Sequence, residues 1–102
     1  MNKKQIAEQV ANKLIGSGIS SDIKIVILQR GWIYIGRMER QGNECKLFNA
    51  SIIRKWGTTK GLGELVHGPL QETILDKCDG MVEFHYLTII NTICVDPEKW
   101  KL

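Results

Sequence analysis

Short β-type segments separated by brief turn signals follow one another over residues 22–97, and this spacing predicts a small antiparallel β fold. Residues 24–28 are β-branched and apolar on both faces, which favours a central strand. Arg30 and Gly31 predict a tight turn after it, and a hairpin is predicted around Gly42. Strands joined by such short turns pair with their neighbours in the sequence.

The later segments continue this β pattern. Residues 32–40 predict a second strand, within which Gly36 indicates a bulge, a sharp bend or the close approach of another group. A further strand is expected to break at Gly57. Residues 82–86 alternate between apolar and polar side chains, and residues 88–95 predict the last strand.

Two stretches between the predicted strands are less regular. A short helix or helical turn is expected over residues 59–66, although two glycines weaken a helix there. Residues 70–80 fit either a loop or a turn that carries Ile74 and Leu75 inward, and the sequence does not decide between them. After the last strand, Trp100 is expected to pin the tail through its indole alone.

Residues 3–15 place apolar side chains at the spacing of one helical face. A helix of this length needs a partner surface, so it either covers one end of the β unit or forms a subunit interface. The chain is therefore expected to form a single domain, residues 1–102, with an N-terminal helix at 3–15 and a β unit at 22–97. We expect a mostly β, α+β fold whose β unit closes into a small, strongly bent antiparallel barrel or roll of the SH3-like or Sm-like kind.

The net charge indicates which class of ligand is expected, and the cysteines indicate whether a zinc site or disulfides are expected. The formal net charge is +3, with acidic side chains interleaved among the basic ones, which suits an anionic ligand without the dense stripe typical of nucleic-acid binding. The three cysteines have no CxxC spacing, so neither a zinc site nor a disulfide framework is expected. The sequence shows neither a signal peptide nor an apolar run that would cross a membrane, and we expect a cytoplasmic protein.

The sequence contains none of the common catalytic motifs, neither a nucleophile elbow nor a Walker loop nor a paired-carboxylate spacing. His85 fits an ordinary strand histidine. His67, in a loop before a Gly-Pro pair, fits either an ordinary loop histidine or a phosphate contact. We therefore expect no enzyme activity, no catalytic residues, no cofactor and no metal.

The strongest candidate site lies where residues 49–63 pass from a strand into a glycine-rich loop. In an extended chain Arg54 and Trp56 share one face, so that a guanidinium stands beside an indole. The ring can stack on a flat molecule, and cations and backbone donors can neutralise its phosphate. The predicted ligand-binding residues are Arg54, Trp56, Thr58, Thr59, Lys60 and His67.

Both aromatic clusters in the sequence have a structural alternative. Trp56 also fits a core residue that the aliphatic stem of Arg54 covers. Trp32 and Tyr34, with Arg37 nearby, fit an exposed platform for single-stranded nucleic acid or a subunit contact, but an inward pair that is plain core is favoured.

A set of positions distributed over residues 33–97 carries a resemblance to a known family. They are Gly36 and residues 39–42, then Asn49, Ala50, Arg54, Trp56, Gly57, Leu62, Leu65, Val66, Gly68 and Cys78, and a closing pattern over residues 87–93 that ends near Pro97. On these residues the chain resembles an uncharacterised family of short proteins encoded by bacteriophages. The resemblance implies a small β-rich phage protein in the cytosol of a bacterial host, and it supplies no activity.

Small phage proteins often act by stoichiometric binding, and three hypotheses follow. The first is sequestration of a small anionic nucleotide-like molecule, such as a signal of bacterial anti-phage immunity, in a pocket that a second subunit completes. The second is nucleic-acid binding through a barrel face, as in Sm-like or oligonucleotide-binding folds. The third, ranked close to the first, is a protein-interaction module that inhibits a host enzyme through Trp32 and Tyr34. A homo-oligomer is expected, and a membrane partner is not.

Overall fold

The structure, a computed structural model, describes residues 21–102 as six β-strands and three short 3-10 helices. The strands are Ile23–Leu28 (β1), Ile33–Gln41 (β2), Glu44–Lys55 (β3), Ile74–Lys77 (β4), Val82–His85 (β5) and Ile89–Cys94 (β6). The 3-10 helices are Gln29–Gly31, Leu62–His67 and Tyr86–Thr88. The predicted mostly β class is confirmed, and the helix predicted over residues 3–15 lies outside the described residues.

All six strands belong to one antiparallel sheet with the order β4-β3-β2-β1-β6, and β5 also pairs with β3. β3 is long enough to hold two partners along one side, because its first half pairs with β5 and its second half with β4. β4 and β5 therefore form one interrupted edge of the sheet. β6, which pairs with β1, forms the other edge.

The expectation of a closed barrel is wrong for residues 21–102, because none of the described strands joins β6 to β4 or β5. The 3-10 turn Tyr86–Thr88 connects β5 to β6. This turn carries the chain across to β1 instead of returning it as a hairpin onto β5. An edge strand therefore stays on each side of the sheet.

A bulge between β2 and β3 explains the glycine in the second strand. On β2, Gly36 faces two residues of β3, Asn49 and Ala50. Asn49 has a left-handed φ of 52°, a conformation that asparagine adopts more readily than most residues. A Cβ on Gly36 would lie 3.1 Å from Leu47 Cδ2 and 3.2 Å from Ala50 Cα. The predicted bulge and close approach are both confirmed, and such a bulge bends the sheet.

The bent sheet packs apolar side chains on both of its faces. The first core consists of Ile23, Ile25, Ile35, Ile53, Leu62, Leu65, Val95 and Trp100. The second consists of Val26, Leu28, Leu47 and Ala50. β1 contributes to both, since alternation sends Ile25 to the first core and Val26 to the second, and both are fully buried. The prediction of a central strand at residues 24–28 is confirmed.

The C-terminal tail belongs to the first core. Trp100 is 2% exposed, and its Nε1 donates a 2.6 Å hydrogen bond to the carbonyl of Leu65. The Asp96 N–H also donates to the carbonyl of Val66 at 2.9 Å. Backbone bonds as well as the indole therefore hold the tail, and the expectation of an indole alone is wrong.

The two irregular stretches are now defined. Leu62–His67 confirms the helical turn predicted over residues 59–66. Residues 70–80 contain β4, and its Leu75 is half-buried against the first core, whereas Ile74 is exposed.

Among residues 21–102 we find no helix that is long and apolar enough to span a bilayer.

Candidate functional site

The predicted ligand-binding residues lie at the end of β3 and in the loop that follows it. The Arg54 side chain is 65% exposed, and Trp56 is 40% exposed. Neither side chain fills the core. The alternative in which Trp56 is a core residue under the stem of Arg54 therefore does not hold.

Carboxylates of the chain itself pair with the cations at this end of β3. Arg54 Nε lies 3.0 Å from Asp76 Oδ2, and Lys55 Nζ lies 3.7 Å from Glu72 Oε2. Exposed pairs of this kind contribute at most about 1 kcal/mol each. They nevertheless place two negative charges where an anionic ligand would have to approach, which weakens its attraction to Arg54.

Glu64 closes the loop between Trp56 and the second 3-10 helix. Its carboxylate accepts hydrogen bonds from the Thr59 N–H at 3.2 Å, the Thr59 hydroxyl at 2.9 Å and the Lys60 N–H at 2.8 Å. Partial burial opposes ionisation, but these hydrogen bonds and the charge of Lys60 outweigh it and lower the pKa of Glu64. Three of the donors expected to hold a ligand's anionic oxygens, the N–H and hydroxyl of Thr59 and the N–H of Lys60, are thus already bound by Glu64.

The remaining two predicted residues do not join this arrangement. Thr58 is half-buried in the loop, and His67 is exposed at the end of the second 3-10 helix. Within residues 21–102, neither side chain forms a hydrogen bond with Arg54 or Trp56. The structure brings together Thr59, Lys60 and Glu64, but it does not assemble all six predicted residues around one cavity.

A better-formed cavity, which we call the seam cavity, lies between β6, the start of β1 and the later half of β2. Its volume is about 500 Å³. It is lined by Lys24, Met38, Arg40, Tyr86, Leu87, Ile89, Ile90, Asn91 and Thr92. This lining contains two cations and no carboxylate. Three smaller cavities on the described surface each include at least one carboxylate, from Glu39, Glu44, Asp79 or Glu83.

The side chains of the seam cavity combine a stacked cation, an apolar floor and polar walls. The Arg40 guanidinium lies over the Tyr86 ring, with Cζ 3.3 Å from the ring centroid, and Arg40 Nε donates to the Gly42 carbonyl at 2.7 Å. Met38 and Ile89 pack against the second core and form the floor. Such an arrangement can stack on a flat ring and neutralise an attached anion.

Lys24 is held on the β1 side of the cavity. It is half-buried, and its Nζ lies 3.3 Å from Cys94 Sγ on the neighbouring strand. The ammonium is therefore in contact with a sulfur atom, and the charge of the Asp22 carboxylate acts on it without a direct ion pair. The ammonium can donate hydrogen bonds to an anion in the cavity.

The sequence carries no pattern that finds the seam cavity. Arg40 comes from a strand, and Tyr86 comes from a turn far along the chain. The alternation of residues 82–86 predicts a strand and not a ligand contact. The two residues meet because β5 pairs with the first half of β3, beside the end of β2.

The second aromatic cluster separates in the structure. Trp32 is exposed in the turn before β2, whereas Tyr34 packs against the second core. Burial raises the pKa of Tyr34. Arg37 pairs with Asp22 at 2.6 Å, and its hydrogen bond lowers the pKa of that carboxyl group. The predicted inward pair is therefore correct for Tyr34 and wrong for Trp32.

Comparisons with known proteins add no family to this description. The chain matches none of the protein-family models searched, and a search of curated proteins finds no match. Within residues 21–102 no three metal-ligating side chains come together in a group that could hold an ion. The geometry of the described residues is thus the basis for any functional proposal.

Proposed function

We propose that the protein is a non-catalytic binding protein that sequesters a small, flat, anionic molecule of the nucleotide class in the seam cavity. The observation that carries this proposal is a cavity of about 500 Å³ with Lys24 and Arg40 in its wall and no carboxylate. The stacked pair of Arg40 and Tyr86 offers a planar surface to a base. Asn91 and Thr92 supply polar groups for its edge.

The magnitudes are consistent with useful affinity. Stacking of a base on an aromatic side chain contributes about 1–3 kcal/mol. A hydrogen bond to a charged group contributes roughly 1.5–3 kcal/mol, and two cations are present. These contacts sum to about 4–9 kcal/mol, and micromolar binding corresponds to about 8 kcal/mol, so micromolar affinity requires a cavity that is already formed and shielded from water.

The site predicted around Arg54 and Trp56 is the second candidate for the same class of ligand. Its support is an exposed indole beside an exposed guanidinium. A ligand there has to compete with Asp76 for Arg54 and with Glu64 for the loop donors. The lining of the seam cavity contains no carboxylate with which a ligand would have to compete, and the seam cavity is therefore the preferred site.

Two features support the wider setting of the proposal. The strand order, with a 3-10 turn before a last strand that pairs with β1, is typical of an open SH3-like roll. The resemblance to short phage proteins favours a phage protein that acts in the host cytosol. In this setting the sequestered molecule is a nucleotide signal of bacterial immunity.

A protein-interaction module is the alternative function, and one observation favours it. Trp32 and Leu87 are large apolar side chains that stay exposed. Large exposed apolar groups often mark contacts with other proteins. Nucleic-acid binding is the weakest of the three functions, because the cations of the described surface are interleaved with carboxylates outside the seam cavity.

Calorimetric titration tests the proposal. The ligands are mononucleotides and cyclic dinucleotides, with inorganic phosphate and an uncharged nucleoside as controls. We expect Arg40→Gln and Lys24→Gln each to weaken nucleotide binding by about tenfold or more, because each removes a charge-assisted contact. Arg54→Gln and Trp56→Ala are the matched controls and are expected to bind as the unmodified protein does. Absence of binding by every nucleotide would refute the function, and losses confined to the control pair would move it to the second site.

A further inference from the structure

Among residues 21–102, the outer edge of β6 is a sheet edge that no other segment covers by strand pairing. Within residues 21–102, Ile89–Cys94 pairs with β1 only. The strand contains neither a charged residue nor a proline, the usual devices that keep an edge from pairing with another chain. The opposite edge is protected, because it is broken into β4 and β5 and carries Asp76, Lys77 and Glu83.

Exposed apolar side chains flank this edge and form the open rim of the seam cavity. Leu87 is 71% exposed and Ile90 is 62% exposed. Both belong to the cavity lining. A single copy of the described residues therefore leaves the cavity open on the side where its apolar rim meets the edge of β6.

We propose that a second copy of this chain pairs antiparallel with β6 about a two-fold axis, so that each copy's Leu87 and Ile90 complete the wall of the other copy's seam cavity. Antiparallel pairing of one strand with itself produces a closed dimer and leaves no further edge of this kind. Because β6 is uncharged along its whole length, two copies meet without like charges facing each other across the new ladder. This inference rests on the proposed function in one respect, namely that the completed cavity is the ligand site.

The cations of the two copies do not prevent this pairing. Lys24 lies on β1, one strand inside the edge. With strands about 4.8 Å apart, the two Lys24 backbones would be separated by roughly 14 Å across the dimer. The two ammonium groups extend toward Cys94 on β6 and so lie closer together than the backbones, and salt with a screening length of about 8 Å weakens their repulsion. An anion bound in each cavity reduces the remaining repulsion, so that ligand binding and dimer formation strengthen each other.

Sedimentation analysis of the full chain over a wide concentration range tests the dimer. We expect the unmodified protein to dimerise, and Ile90→Lys to raise the dimer dissociation constant by about tenfold or more, because it places two ammonium groups at the shared edge. Ile74→Lys, the same change on the opposite edge, is the matched control and is expected to leave dimerisation unchanged. A protein that stays monomeric at every concentration, or an Ile90→Lys variant that dimerises normally, would overturn the inference.

Amide hydrogen exchange separates strand pairing from any other mode of association. We expect the outward-facing amides of β6 to gain protection as the dimer forms, while those of β4 do not. A dimer that leaves every β6 amide unprotected contradicts the inference. A dimer that forms with the expected protection but binds no nucleotide would refute the proposed function alone. Nucleotide binding by a monomer through Lys24 and Arg40 would refute the dimer alone.

Discussion

The Arg40 guanidinium lies over the Tyr86 ring, with 3.3 Å between Cζ and the ring centroid. The contact joins β2, inside the sheet, to the turn Tyr86–Thr88 that leads to the edge strand. Because this turn determines where β6 begins, the pair contributes to the shape of the seam cavity as well as to its charge. A cation and an aromatic ring at an exposed position attract each other by about 0.5–1 kcal/mol.

Two replacements of Tyr86 test the contribution of its ring and that of its hydroxyl group separately. Tyr86→Leu removes the ring, and we expect it to lower the free energy of unfolding by about 0.5–1 kcal/mol and to weaken nucleotide binding. Tyr86→Phe keeps the ring and is expected to match the unmodified protein in both respects. Urea denaturation and calorimetry provide the two measurements. If Tyr86→Phe loses as much as Tyr86→Leu, the guanidinium–ring contact is not the source of the effect.

The indole of Trp100 provides a stability test. Trp100→Phe keeps an aromatic ring in the first core but removes the Nε1 donor from the buried Leu65 carbonyl. We expect a loss of about 1–3 kcal/mol in the free energy of unfolding, because the Leu65 carbonyl keeps only its bond from the Gly68 N–H and the smaller ring leaves unfilled space in the core. Trp32→Phe, at an exposed turn, is the control and is expected to change stability by less than about 0.5 kcal/mol. Equal losses in the two variants would contradict the assignment of Trp100 to the core.

The bulge opposite Gly36 predicts that alanine destabilises the protein more at Gly36 than at Gly63. Gly36→Ala forces a Cβ to within 3.1 Å of Leu47 Cδ2, and we expect a loss of about 1–3 kcal/mol in the free energy of unfolding. Gly63→Ala meets no atom within 4 Å and serves as the control, with an expected change of less than about 0.5 kcal/mol. Thermal and urea unfolding measure both. A neutral Gly36→Ala would show that β3 does not pass so close to β2.

The lowered pKa of Glu64 predicts how the loop responds to acid. A carboxyl group whose pKa is lower in the folded state stabilises that state above its usual titration range, and this contribution disappears as the pH falls through the lowered value. We expect the Thr59 and Lys60 amides to be protected from exchange at neutral pH and to lose protection in acid. Glu64→Gln is expected to remove the pH dependence. Equal pH profiles for both proteins would mean that another group controls the loop.

Local patterns in the sequence predicted most of the sheet. The run at residues 24–28, the turn at Gly42 and the bulge at Gly36 each follow from chemistry within a few residues. β4 could not be predicted in this way, because its four residues include Asp76 and Lys77 and owe their strand conformation to pairing with β3. The open sheet was missed for a related reason, since whether two distant edges meet depends on tertiary geometry.

The candidate site, too, could be predicted from the sequence only where it depends on neighbouring residues. The exposure of Arg54 and Trp56 agrees with the local pattern, but their carboxylate neighbours do not appear in it. Asp76 reaches Arg54 only because β4 lies beside β3. The seam cavity is built from residues that are distant in the sequence, and local patterns cannot show that they meet.

The most direct test of the seam cavity is a titration of the isotopically labelled protein with a nucleotide, followed residue by residue through its backbone amide resonances. We predict that the largest shifts occur at Lys24, Tyr86, Asn91 and Thr92, and that the resonances of residues 56–60 change little. Shifts concentrated at residues 56–60, or no shift at saturating nucleotide, would contradict the assignment of the ligand site to the seam cavity.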